Sequence, residues 1–392
     1  MIARATLWRD VSALGVAQIV SWGSLFYAIG VLGAPMRAAL GIDDVVLFGS
    51  FTAGLFISGI AAPAVGRRID ARGGRGVLAF GSVTAAVACL VLGASTQPWH
   101  MVAGWLIAGV AMAACLYDPA FAALYRVSGS AYRRAVTVLT LYGGFASTVF
   151  WPLSQYLLDT VGWRDAWRIY AVLHAAVCLP LHLAFAPRGS AGERSAQPHA
   201  SVDAASPRVH PHAFAWLAIA FSLSAFLATA LAAHLIGLLT AGGLAARDAV
   251  LVGSLIGPMQ VAGRLMEMAI GGRMHARAVG FLAFGLMAIA LLLLPWIGPV
   301  WILAMLFALL YGWSNGVMTI VRGTVPAELF GARGYGELLG RLARPAFIAK
   351  AIAPVTLTFV FAVDPQRRIA GATLAGIGVV ALLAFGRAVR RP

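Results

Sequence analysis

Four ionisable residues lie inside long apolar stretches of this chain, and chemistry is expected of them first: Asp118, Arg264, Glu267 and Lys350. A charge at mid-membrane costs roughly 2.5–3.5 kcal/mol even on insertion scales, so such residues are either used or paired. Each falls about three to six residues from the predicted cytoplasmic end of its helix, a depth of about 5–9 Å. Arg264 and Glu267 are i, i+3 neighbours with Gln260 one turn earlier, so one face of that helix is polar and must look into the protein. Arginine grips a carboxylate or phosphate through two parallel bonds, whereas lysine acts as a point charge. Arg264 and Lys350 are therefore candidate partners of an anion. A carboxylate withdrawn from water can bind and release protons near neutral pH, which makes Asp118 and Glu267 candidates for proton coupling. The same two acids and two bases sum to zero and could instead be structural pairs, Arg264 with Glu267 and Asp118 with an arginine at a helix end.

A second set is aromatic or polar and near mid-span: Trp22, Tyr27, Tyr142, His234, Tyr311, Trp313 and Asn315. Tyr and Trp offer an organic ligand both apolar area and a hydrogen-bond donor, although packing alone also explains any one of them. Cys89, Cys115 and Cys178 fall in different helices without metal spacing and read as small apolar core residues. His199, His210 and His212 share a polar segment that has no carboxylate or thiol placed to complete a metal site. A phosphate-cradling loop needs G-x-x-x-x-G-K-[ST], and the single lysine, Lys350, follows Ala349. No cofactor, metal or enzyme constellation is expected.

These residues are positioned by a chain of 392 residues that is 61% hydrophobic and 11% charged. Almost uncharged segments of about 18 residues or more recur along it, each long enough to cross the roughly 30 Å hydrocarbon core as a helix. Twelve spans are read at about 11–36, 45–65, 77–94, 101–124, 136–158, 169–185, 214–239, 250–270, 278–297, 301–320, 345–362 and 369–385. Residues 187–212 are rich in Ser, Ala, Pro, Arg and His without apolar period, and read as a solvated linker between two sets of six. The expected domains are thus 1–186, the linker 187–212, and 213–392. Net charge is +15, but the arginines are scattered among short loops, which argues against nucleic acid and for positive-inside topology. With the N-terminus inside, few basic residues fall outside: Arg37, Arg164, Arg168, Arg247, Arg367 and Arg368. Both termini and the linker are then cytoplasmic. Between the second and third spans, residues 66–75 read GRRIDARGGR, a charged hairpin that must sit in water on that side. The fourth span has LYDPAF ahead of Arg126 and the tenth has LYGWSN ahead of Arg322, a weak internal echo typical of transporters.

Twelve helices in two sixes with this hairpin resemble the major facilitator superfamily, whose signature loop is written G-x-x-x-D-R-x-G-R-R. Gly66, Asp70 and Gly73 match it, and Gly74 and Arg75 stand at its two basic positions, while Ala71 replaces the common arginine. The arginine usual in the fourth helix is absent, with Gly104 and Trp105 there instead, and the glycine-proline motif of proton-driven drug antiporters is not recognisable in LYGGFASTVFWPLS. A basic residue in span eight and a lysine in span eleven, with the string QVAGRLME, are similar to the oxalate/formate and monocarboxylate branch, where such residues face the cavity.

The resemblance implies an all-α integral membrane protein with two pseudo-symmetric six-helix halves, and secondary-active transport by alternating access in the bacterial inner membrane. The expected cargo is a small organic anion, a carboxylate, moved with or against protons by a monomer; export of amphipathic drugs or metabolites by proton antiport is the other reading. Arg264, Lys350, Tyr27, Tyr142, Tyr311, Trp313 and Asn315 would bind substrate, and Asp118 and Glu267 would couple protons. Gly66, Asp70, Gly73 and Arg75 would form a cytoplasmic gate, in which Gly66 lets helices approach and Asp70 meets a helix N-terminus or an arginine.

Overall fold

Glycines decide where this chain turns. Gly41, Gly73 and Gly162 adopt φ of 62°, 82° and 80°, conformations that an L side chain rarely takes, and each marks a corner between helices. The computed structural model describes residues 2–187, 211–270, 274–297, 300–331, 334–363 and 368–390. Most of the predicted linker, with His199 and His210, lies outside the described residues. The described chain forms helices α1 (Ile2–Trp22), α2 (Ile29–Leu40), α3 (Asp44–Arg72), α4 (Gly74–Gly93), α5 (Pro98–Cys115), α6 (Tyr117–Ser128), α7 (Tyr132–Gly144), α8 (Ala146–Leu173) and α9 (Leu179–Phe185). It continues with α10 (Pro211–Ala241), α11 (Ala246–Ile270), α12 (Ala276–Leu293), α13 (Trp301–Phe330), α14 (Tyr335–Val363) and α15 (Arg368–Val389). π-helical turns at Gly23–Tyr27 and His174–Cys178 join α1 to α2 and α8 to α9.

Eight stretches of the described residues are apolar and long enough to cross a bilayer. One of them, Pro98–Phe185, is 88 residues long and makes three passes. The passes missing from that set are α11 and α14, which at 25 and 29 residues reach about 37 and 43 Å. They carry Arg264, Glu267 and Lys350. The twelve-pass, all-helical expectation holds.

Two local readings are corrected. Residues 66–75 are not a loop: α3 runs helically to Arg72, Gly73 alone makes the corner, and α4 starts at Gly74. Charged residues with good helix propensity prolong the helix into water, and only the residue with φ of 82° stops it. Likewise residues 159–168, between the expected spans 136–158 and 169–185, are helical on both sides of a kink at Gly162. The fourth pass, in turn, breaks at Leu116, where ψ is −160°. Gln18 from α1 repairs that break, its amide donating to the carbonyls of Cys115 at 2.8 Å and Leu116 at 3.3 Å.

The chain divides into two compact units, Met1–Ala205 with Ala332–Arg344, and Ser206–Gly331 with Pro345–Pro392. In the first, α4 packs on α5 and α8, and α1 on α7, around fully buried Trp105, Trp167, Tyr170 and Phe121. In the second, α13 packs on α11 and α12 and α15 on α10, with Phe284 stacked on Phe385 at 4.7 Å.

Candidate functional site

Asp70 lies in the last turn of α3, within the first unit. Its carboxylate accepts from the backbone N–H of Gly336 through Oδ1 at 2.8 Å and of Glu337 through Oδ2 at 2.7 Å. These are N–H groups of the first turn of α14, which have no intrahelical acceptor, and a carboxylate there also meets the positive end of the helix dipole. Such charge-assisted bonds are worth about 1.5–3 kcal/mol each. Close approach makes the contact possible: a Cβ on Gly66 would overlap the Gly336 carbonyl, and one on Gly340 would overlap that of Ala62. Arg126, from α6, donates to the carbonyls of Ile69 and Asp70 and closes the C-terminal end of α3. An Arg67–Glu337 pair at 3.9 Å adds little, since both side chains are more than a third exposed.

Gly66, Gly336 and Gly340 also line a small cleft with Val65, Ala122 and Asp118. Asp118 stands in the first turn of α6, half-buried, within electrostatic reach of Tyr132 and Tyr335. The two phenol oxygens are 3.0 Å apart, and the Tyr125 ring lies 4.0 Å from that of Tyr335. Arg75 works elsewhere. Its Nε and Nη2 donate to the carbonyls of Ala186 and Ala184, and its backbone N–H to Pro187, so it closes the end of α9.

The second unit holds the other charged centre. A Cβ on Gly263 of α11 would come within 2.7 Å of the Trp313 carbonyl, and one on Gly316 of α13 would overlap Gln260, so the two backbones touch. That contact turns Arg264 inward. Arg264 is 3% exposed and Glu267 6%. Arg264 Nε and Nη1 have no hydrogen-bond partner among the described residues. Trp313 and Asn315 are half-buried on α13, whereas Tyr311 is 4% exposed and stacks on Phe307 at 5.4 Å, which places it in the packed interior. Lys350 is half-buried, its Nζ 5.1 Å from the Phe347 ring centre. His234 is half-buried on α10.

Tyr27 ends the first π turn, half-buried, and Tyr142 on α7 lays its ring where Gly15 has no side chain. Sequence reasoning missed what holds that turn from behind: Ser24 Oγ and His174 Nε2, 2.7 Å apart and wholly buried. Ser82 and His182 form a second such pair at 2.7 Å. The signal was there, since Gln18, Ser21 and Ser24 fall at i, i+3, i+6 and His174, Cys178 and His182 at i, i+4, i+8, one face of each helix. The three cysteines are free and buried, and no group of His, Cys, Asp and Glu among the described residues could hold a metal.

The sequence model described as the Major Facilitator Superfamily matches residues 14–354. The chain belongs to the major facilitator superfamily. Solved structures of superfamily members have the same fold. The human organic anion transporter MFSD10 (TETRAN) aligns with TM-score 0.73 at 18% identity, over 97% of this chain and 99% of that one. FucP in its outward conformation aligns with TM-score 0.74 at 15% identity, over 97% and 98%. A structure of the E. coli fucose:proton symporter FucP gives 0.71 at 14%, again over 97% and 98%. No curated protein matches the chain in sequence. It is a multi-pass membrane protein and a secondary transporter of this superfamily.

Proposed function

We propose that this transporter carries an organic anion, a carboxylate, and that Arg264 receives the anionic group. One observation carries the reading: a guanidinium 3% exposed inside a transmembrane helix, with Nε and Nη1 unpartnered. A buried charge left so costs several kcal/mol, and a carboxylate bound through two parallel bonds would offset much of it. Lys350 supplies a second positive charge, with Trp313 and Asn315 beside the α11–α13 contact as further ligand groups. Asp118 and Glu267 take up and release the coupled protons. The fold accommodates such a cargo and such coupling, since one fold neighbour is an organic anion transporter and another a fucose:proton symporter. The likeness to the oxalate/formate and monocarboxylate branch rests on Arg264 and Lys350.

In this reading the protein is a monomer in the inner membrane with both termini cytoplasmic, working by alternating access. Asp70 is the cytoplasmic gate: Gly73 makes the corner that presents it, Gly66 admits α14 to it, and Arg75 anchors the start of α4. Purified protein in liposomes tests the assignment by counterflow with mono- and dicarboxylates, with and without a pH gradient. Carboxylate exchange that Arg264→Gln abolishes supports it; movement of cationic or neutral drugs alone would overturn it.

A further inference from the structure

The first unit carries a chain of rings of which the anion reading names only Tyr27. The π turn and its flanks bring Trp22, Phe26 and Tyr27 to one side of the first pass. Trp22 meets the Tyr117 ring at 5.0 Å, Phe26 meets Phe51 at 5.6 Å, and Tyr27 meets Trp151 at 5.9 Å. Within the turn, Trp22 and Phe26 are 5.3 Å apart and Phe26 and Tyr27 5.4 Å, both edge to face.

Three features distinguish this set from ordinary core. Its rings are partly exposed, whereas Trp105, Trp167 and Tyr170 behind them are fully buried. A π turn, a distortion found mostly at functional sites, is what brings positions 22, 26 and 27 together. From behind, Ser24 is bonded to His174, itself in the second π turn. The depth matters too. The turn stands near the middle of the 35-residue pass Thr6–Leu40, where indole N–H and phenol O–H groups are poorly suited to hydrocarbon. Partly exposed rings bearing such groups at that depth are better suited to a path through the protein than to lipid.

We infer that Trp22, Phe26, Tyr27, Phe51, Tyr117 and Trp151 form an aromatic wall for a flat aromatic group, so that the cargo is an aromatic carboxylate. This rests on the anion reading above and narrows it. Rings already set edge to face leave partly exposed faces and edges that a further ring can join in the same geometry, a preference that a saturated ring of similar size does not satisfy. Ser24 and His174 act as positioning residues.

Counterflow in liposomes with the intact protein separates the possibilities, using benzoate, cyclohexanecarboxylate, lactate and neutral benzamide. Benzoate should half-saturate at a concentration roughly tenfold below cyclohexanecarboxylate. Phe26→Leu should erase most of that ratio, and so should Ser24→Ala, which touches no ligand. Size-exclusion and thermal unfolding show that both variants are folded, and quenching of tryptophan fluorescence by benzoate, weakened in Phe26→Leu, gives a second readout. Equal handling of benzoate and cyclohexanecarboxylate, or preference for lactate, would overturn the wall and leave the anion reading standing. Benzamide moving as well as benzoate, with cyclohexanecarboxylate excluded, would support the wall and overturn the role of Arg264.

Discussion

Asp70 caps the first turn of α14 at Gly336, with a carboxylate oxygen 2.8 Å from the amide nitrogen, although 266 positions separate the two residues. The contact joins the signature corner of the second pass to the beginning of the eleventh. Its energy is concentrated in two bonds to one side chain, which makes it both specific and easy to disable.

Asp70→Asn replaces a charged acceptor by a neutral one and should weaken this tie by about 1.5–3 kcal/mol without unfolding α3. A cysteine introduced at Val65, in the neighbouring cleft, should then react faster with a maleimide added from the cytoplasmic side. Unchanged labelling would remove the gate role of Asp70.

Gly66→Ala sets two effects against each other. Alanine favours the helix by about 1 kcal/mol, but its methyl would overlap the Gly336 carbonyl at a cost of about 1–3 kcal/mol. Thermal stability should stay near wild type while transport and the labelling pattern change as in Asp70→Asn. A variant with normal transport would show that the close approach is dispensable.

Arg264→Met should raise the midpoint of thermal unfolding, because replacing a buried charge by a packed apolar side chain is often stabilising by about 1–4 kcal/mol. Carboxylate counterflow should fall about a hundredfold. Arg264→Lys keeps the charge but not the two parallel bonds and should recover only part of the transport. Loss of stability in Arg264→Met would mean that the guanidinium is structural.

Ser24→Ala leaves His174 Nε2 buried without its partner and should cost about 1–3 kcal/mol. His174→Gln should cost about the same, since it breaks the same bond, and the double variant should cost less than the sum. Additive losses, read by thermal unfolding, would show that the two π turns are not coupled.

Glu328 offers a control. Its Oε2 accepts from Ala276 N–H at 2.7 Å and its Oε1 lies 3.0 Å from Arg277 Nε, so it caps α12 much as Asp70 caps α14. Glu328→Ala should lower stability by about 0.5–2 kcal/mol and leave substrate selectivity unchanged. A change in selectivity would bring α12 into the transport path.

The twelve passes were legible because apolar length is a coarse, additive property that survives small errors at each end. Arg264 was legible as an anomaly, since a guanidinium in an apolar run can be noticed without knowing its neighbours. Its isolation was not, because whether Glu267 reaches it depends on rotamers and on the α11–α13 approach at Gly263 and Gly316. Asp70 was legible as a helix-capping acid through the corner motif, yet its partners Gly336 and Glu337 sit in a segment without a distinctive pattern. Ser24 and His174 stayed hidden for a different reason. Their helical spacing marks one polar face on each helix, but spacing along a helix does not say which face of another helix it will meet.

Cys89, Cys115 and Cys178 are each 0% exposed, although they sit on separate helical segments. In the folded protein a water-borne thiol reagent therefore meets almost no native sulfur. The natural chain can serve as its own silent background, and one cysteine placed at either face would report which side of the barrier has opened.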